Sequence, residues 1–94
     1  MVQKIAIIPD DLRGVAGQFK SKSTESQNIL NVLDSAVNNI QSQWEGMAAQ
    51  KFYYDYLTCK KQLQKHAELL GNIGLELYGI ADEFQRMDEE LAKR

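Results

Sequence analysis

Apolar residues recur at about every seventh position along two long segments of the chain. In the second segment the repeat is regular, and its first row consists of Ala49, Tyr56, Leu63, Leu70, Leu77, Phe84 and Leu91. Such a heptad repeat, kept in register over its full length, predicts one long helix. A second row follows three positions later: Phe52, Cys59, His66, Ile73, Ile80 and Met87. We expect these two rows to point into a helical bundle.

The first segment carries a less regular form of the same repeat, beginning after Pro9. Proline suits the first helical position because it has no N–H group to leave unpaired, and Asp10 and Asp11 place negative charge at the positive helix end. The repeating positions are Leu12, Val15, Ala16, Phe19, Ile29, Leu30, Leu33, Ala36, Val37, Ile40 and Trp44. The stripe thins between Lys20 and Asn28, where weaker helix formers favour fraying or a bend.

The tripeptide Trp44-Glu45-Gly46 separates the two segments. Glycine tolerates the left-handed conformation that ends a helix and lets the chain reverse. The pattern therefore predicts an all-α, antiparallel helix-turn-helix hairpin formed by a single domain, residues 1–94, with helices at about 9–43 and 47–91 and a turn at about 44–46. At about 1.5 Å per residue, the rod would be some 50 to 65 Å long.

The apolar stripes are wider than one hairpin can bury, so they favour further helices. The edges of the stripes, expected beyond the narrow seam, include Ala16, Leu30, Val37, Tyr53, Ala67 and Ala81. We predict two hairpins forming a four-helix bundle, most simply a homodimer, with a heterodimer of related hairpins as the alternative. The predicted core and dimer seam comprises Leu33, Ile40, Phe52, Leu63, Leu70, Leu77 and Phe84.

Composition and charge exclude several classes of function. A chain of 94 residues buries too little surface for a large internal cavity. The net charge of −2 gives no electrostatic footprint for nucleic acid. No apolar run approaches the roughly 20 residues that span a bilayer. The short apolar stretch before Pro9 lacks a signal-peptide core, so we expect no cleavable signal peptide and no stable membrane insertion.

Cys59 and His66 are the residues most able to support nucleophilic or metal chemistry. They stand two helical turns apart, roughly 10 Å, which is too far for a hydrogen-bonded catalytic pair. Neither has companions at metal-ligand spacing. We therefore expect no enzymatic activity, no metal and no cofactor.

Two motifs resemble a known family. Trp44 and Gly46 at a turn between long helices resemble the small Trp-Xaa-Gly (WXG) proteins of the early-secreted-antigen family, in which a small residue and then an aromatic open the second helix, as Ala48 and Phe52 do. Tyr78-Xaa-Xaa-Xaa-Asp82 matches the C-terminal secretion motif of that family, and the resemblance covers essentially the whole chain.

The resemblance implies a type VII secretion substrate, folded in the cytoplasm and exported after recognition by the membrane ATPase of the system. It also implies a composite signal, in which the turn of one subunit lies near the C-terminal motif of its partner. From the phase of the second helix, we expect Tyr78 and Asp82 to project away from the core and to form, with Leu75, an exposed docking stripe. The alternative is a helical partner or targeting chaperone of a larger secreted toxin.

Overall fold

A computed structural model describes residues 8–92 of the chain. In this range, helix α1 (Pro9–Gln41) and helix α2 (Met47–Ala92) pack side by side in opposite directions. The hairpin is a rod with extents of 73 × 27 × 15 Å, longer than the predicted length of roughly 50 to 65 Å, because α2 alone has 46 residues. The predicted all-α hairpin is therefore confirmed. The prediction that the N-terminal stretch is not a signal peptide concerns residues largely outside the described range.

Local chemistry explains where α1 begins. Ile8 has an extended backbone and no side-chain cap, but its carbonyl oxygen accepts hydrogen bonds from the N–H groups of Asp11 and Leu12. Pro9 occupies the first turn, and acidic residues follow it there. The helix then continues through the stretch between Lys20 and Asn28 without interruption.

The closest contact between the helices is made by small side chains. The residues buried along it are Ala16, Leu30, Ala49, Ala67, Gly74 and Ala81. A methyl group added to Gly74 would stand 3.0 Å from the carbonyl oxygen of Ala16, so the two backbones nearly touch there. This corrects the sequence interpretation, which had assigned Ala16, Leu30, Ala67 and Ala81 to the edges of the stripes.

The second buried row of α2 therefore follows the first by four residues instead of three. In the row predicted three positions later, Phe52, Cys59, Ile80 and Met87 are exposed in the hairpin, and Ile73 is half-buried. The reason is geometric. Two helices that make a single layer of contact approach closely where side chains are small, and larger apolar residues then lie on the flanks of the contact.

Polar groups also tie the helices together along the contact. Ser23 donates a hydrogen bond of 2.6 Å from its hydroxyl to the carbonyl oxygen of Ala67, which anchors the polar stretch of α1. Nearer the turn, Asp34 accepts hydrogen bonds from Lys60 at 2.8 Å and Tyr56 at 2.5 Å. Both hydrogen bonds lower the pKa of the Asp34 carboxyl, and the one from Lys60 has the larger effect.

Candidate functional site

The turn is covered by an aromatic cluster. After α1 ends, Trp44 folds back on the first turns of α2, with ring centroids 5.7 Å from Phe52 and 6.0 Å from Tyr53. The hydroxyl of Tyr53 donates a 3.3 Å hydrogen bond to the carbonyl oxygen of Trp44. Phe52 stacks in turn on Tyr56, with centroids 6.5 Å apart. Trp44 keeps 39% of its surface exposed, so its ring both holds the turn and remains accessible.

Gly46 is the residue that lets the chain reverse. Its φ of +117° is the only positive φ among the described residues. Its carbonyl oxygen accepts a hydrogen bond from the N–H of Gln50, which starts α2. A side chain at this position would strain the backbone.

Tyr78 and Asp82 do not project from the side of α2 opposite the contact, which is where the sequence analysis placed them. Tyr78 is half-buried against α1, and a methyl group added to Gly17 would lie 3.6 Å from its hydroxyl oxygen. Asp82 accepts a 2.7 Å hydrogen bond from the guanidinium of Arg13. Both motif residues therefore lie on one flank of the helix contact, level with the first turns of α1.

Arg13 connects this flank to the start of α1. Its Nη2 atom bonds Asp82 while its Nη1 atom donates a 3.2 Å hydrogen bond to Asp10. The hydrogen bond with Asp82 raises the pKa of the Arg13 guanidinium, and that with Asp10 adds to it. Leu75 stands one turn before Tyr78 and leaves 69% of its surface exposed. The three predicted motif residues thus share a flank, and Leu75 is the one that projects freely.

Arg13 and Gly17 were not among the site residues predicted from the sequence. A usable signal was present, because residues equally distant from the turn lie side by side in an antiparallel hairpin. That rule brings the beginning of α1 level with the Tyr78–Asp82 segment. Arg13 is then a basic residue within reach of the motif carboxylate.

The opposite flank of the hairpin, which we call the open face, carries large, partly exposed apolar side chains with polar residues among them. Phe19 and Leu70 border one shallow cavity of about 520 Å³, and Ile80, Phe84 and Met87 border another of about 560 Å³. At 100° per residue, Asp82 lies roughly 160° around α2 from Ile80 and Phe84. The predicted seam residues Leu33, Ile40 and Phe52 are 39%, 41% and 38% exposed in the single hairpin. Their burial in a dimer stays a prediction.

Residues 8–92 contain neither a candidate metal centre nor a candidate membrane span. No group of three or more histidine, cysteine or acidic side chains lies close enough together there to hold a metal ion. Neither α1 nor α2 contains a stretch long and apolar enough to cross a membrane.

Comparison with known proteins agrees with this architecture. The sequence profile of WXG100, described as proteins of 100 residues with WXG, matches residues 4–89. The chain belongs to the WXG100 family. Among curated relatives, protein YukE of Bacillus subtilis is 27% identical over 94 residues, covering 100% of this chain and 97% of that protein. Type VII secretion system extracellular protein A of Staphylococcus aureus is 28% identical over 88 residues, covering 94% of this chain and 91% of that protein.

Solved structures of this WXG100 type share the same hairpin. A secreted protein, ESXB of Bacillus anthracis, superposes with a TM-score of 0.82 and 32% identity, covering 93% of this chain and 99% of its own. EsxA of Geobacillus thermodenitrificans gives a TM-score of 0.84 with 28% identity, covering 97% and 99% of the two chains. The predicted family is therefore confirmed, and the small two-helix fold is that of secreted members.

Proposed function

We propose that this WXG100 protein is a non-enzymatic substrate of a type VII secretion system, exported as a folded helical dimer. Family membership and the secreted relatives support the class of function. The observation that carries the proposal is the placement of Tyr78 and Asp82 against Gly17 and Arg13 of the other helix. This arrangement exists only when the two helices are packed together, so a receptor that recognises it would select a folded chain.

The open face supports the dimer. A soluble monomer rarely exposes a contiguous apolar patch larger than a few hundred Å². The open face runs along both helices, and a second copy would bury it in a four-helix bundle. Burial of Leu33, Ile40 and Phe52, with the row Leu63, Leu70, Leu77 and Phe84, is the expected result.

We propose that the export signal is composite and includes the turn of the partner subunit, because the turn and the motif of one hairpin are far apart. Trp44 precedes α2, whereas Tyr78 lies about two-thirds of the way along it, roughly 45 Å from its start at about 1.5 Å per residue. One receptor pocket cannot contact both in a single chain. In an antiparallel dimer, the turn of one hairpin approaches the termini of the other, so a composite signal forms only after assembly. The receptor we propose is the membrane ATPase of the secretion system.

An export assay tests this function. Cells with a working type VII system would express the wild-type chain and the variants Tyr78→Ala and Asp82→Ala, and the protein in medium and cells would be quantified. Both variants should fold and dimerise but accumulate inside cells. The matched controls are Tyr54→Ala and Asp88→Ala, which remove an exposed tyrosine and an exposed aspartate elsewhere on α2. Export of both motif variants at the wild-type level would contradict the proposal.

The open face also favours a second candidate function. A larger secreted toxin with a helical hairpin of its own would cover the same apolar surface, and this chain would then act as its targeting partner. Light scattering on the purified protein separates the two. A stable homodimer supports self-assembly, whereas a monomer or a poorly soluble chain supports the heterologous partner.

A further inference from the structure

We propose that the export determinant is a two-helix surface in which Arg13 and Gly17 of α1 position the motif residues Asp82 and Tyr78 of α2. This inference rests on the proposed function and adds two residues to it. Arg13 and Gly17 act through the motif side chains, so they are positioning residues. We call Arg13 and Gly17 together the motif seat.

The contacts of Arg13 support positioning over a role in stability. The side chain of Asp82 is 72% exposed and that of Arg13 is 29% exposed. An ion pair whose carboxylate is so exposed to solvent contributes little to folding. The guanidinium nevertheless holds two carboxylates at once, Asp82 at 2.7 Å and Asp10 at 3.2 Å. A planar fork of this kind fixes direction as well as distance, which a lysine cannot reproduce. Its main effect is therefore to hold the Asp82 carboxylate against α1.

Gly17 provides the space for Tyr78. The nearest heavy atom to an added Cβ at Gly17 is the Tyr78 hydroxyl oxygen at 3.6 Å, which is ordinary van der Waals contact. Alanine therefore fits, but a longer side chain would occupy the position of the Tyr78 hydroxyl. Gly14, one turn earlier on α1, has nothing within 4 Å of an added Cβ. The two glycines form a matched pair that differs in contact with the motif.

A side chain already held in its binding geometry loses less conformational entropy when a receptor takes it up. Each side chain that must be ordered on binding weakens an interaction by about two- to tenfold. Release of Asp82 by Arg13→Gln should therefore lower export by roughly that factor. Thermal unfolding and dimerisation should stay close to wild type, because Asp82 is largely exposed and Gln keeps most of the Arg13 stem.

The first experiment is a double-mutant comparison in the export assay. Arg13→Gln should reduce export in the wild-type background and have no further effect in the Asp82→Asn background. Arg13→Lys, which keeps the charge but loses the fork, should lie between Arg13→Gln and wild type. Lys22→Gln is the control, since Lys22 forms a 2.9 Å ion pair with Glu25 on α1, away from the motif. It should be exported normally.

The second experiment compares Gly17→Leu with Gly14→Leu. Both replace a glycine of α1 by the same residue, and Gly17→Leu alone displaces Tyr78. We expect its export to fall toward that of Tyr78→Ala, while Gly14→Leu and Gly17→Ala export as wild type does. Circular dichroism and light scattering would show that all three remain helical and keep the same oligomeric state.

The outcomes separate this inference from the function on which it rests. Normal export of Tyr78→Ala and Asp82→Ala would overturn both. Impaired export of those two variants, with normal export of Arg13→Gln and Gly17→Leu, would overturn the motif seat alone. An equal loss from Arg13→Gln with and without Asp82→Asn would also overturn it, because Arg13 would then act independently of the motif.

Discussion

Gly74 offers the sharpest test of how closely the two helices approach. An added Cβ there would lie 3.0 Å from the carbonyl oxygen of Ala16, 3.4 Å from the backbone nitrogen of Lys20 and 3.5 Å from the Cβ of Phe19. Gly79, five residues later on α2, has nothing within 4 Å of an added Cβ. The perturbation is therefore the same single methyl group at two positions of one helix, Gly74→Ala and Gly79→Ala.

The magnitudes follow from two opposing effects. Alanine is more favourable than glycine in a helix interior by about 1 kcal/mol, which applies at both positions. At Gly74 the new methyl group meets backbone atoms that cannot rotate away, and overpacking of this kind costs about 1 to 3 kcal/mol. We expect Gly79→Ala to stabilise the fold by about 1 kcal/mol. Gly74→Ala should range from neutral to a loss of about 2 kcal/mol.

Thermal unfolding followed by circular dichroism measures the difference between these variants. For a domain of this size, about 1 kcal/mol shifts the melting temperature by roughly 4 to 8 °C. All samples need the same protein concentration, because association stabilises the folded state by mass action. A melting temperature of Gly74→Ala as high as that of Gly79→Ala would show that the backbones are farther apart than the structure has them, and would refute the reasoning.

Three further predictions concern other parts of the hairpin. The hydrogen bond to Asp34 raises the pKa of Tyr56 from 10.0 to about 12. The stabilisation of the fold by this hydrogen bond is therefore complete below pH 10 and is lost as the pH rises toward 12. In melting curves recorded over that range, Tyr56→Phe should lose less stability than the wild type. Gly46→Ala should reduce the free energy of unfolding in urea by about 1 to 2 kcal/mol, because φ is +117° there; an unchanged midpoint would contradict this. Leu70→Glu on the open face should shift the dimer to monomer in sedimentation, whereas Leu75→Glu on the motif flank should not; dissociation by both would argue against a dimer through the open face.

The hairpin itself was predictable because its determinants are local in sequence. Heptad spacing defines a helix whatever the helix packs against, and Gly46 follows the break between the two repeats. The polar stretch around Ser23 shows what local propensity omits, because one of its stabilising contacts is remote in sequence. The hydroxyl of Ser23 bonds the carbonyl oxygen of Ala67, and helix propensity contains no information about that contact.

The face of α2 that contacts α1 was not predictable from hydrophobicity alone. Hydrophobic scales favour large residues such as Phe52 and Ile80 as core positions, whereas the close contact uses Ala67, Gly74 and Ala81. Choosing the row three positions later instead of four rotates the expected inward direction by about 50°. Because of that rotation, Tyr78 and Asp82 were predicted on the side of α2 opposite the helix contact, and their contacts with α1 were not predicted.

The corrected orientation gives the two flanks of the hairpin separate roles. The open face carries large apolar side chains but no member of the Tyr78/Asp82 motif, and the motif flank carries the polar contacts of Arg13. If a second hairpin covers the open face, the motif stays at the surface of the dimer, because Asp82 lies roughly 160° around the helix from Phe84. A stripe opposite the helix contact, as first expected, would have left the motif independent of α1. Its seat on α1 instead makes the export signal depend on correct pairing within each hairpin as well as on assembly of the dimer.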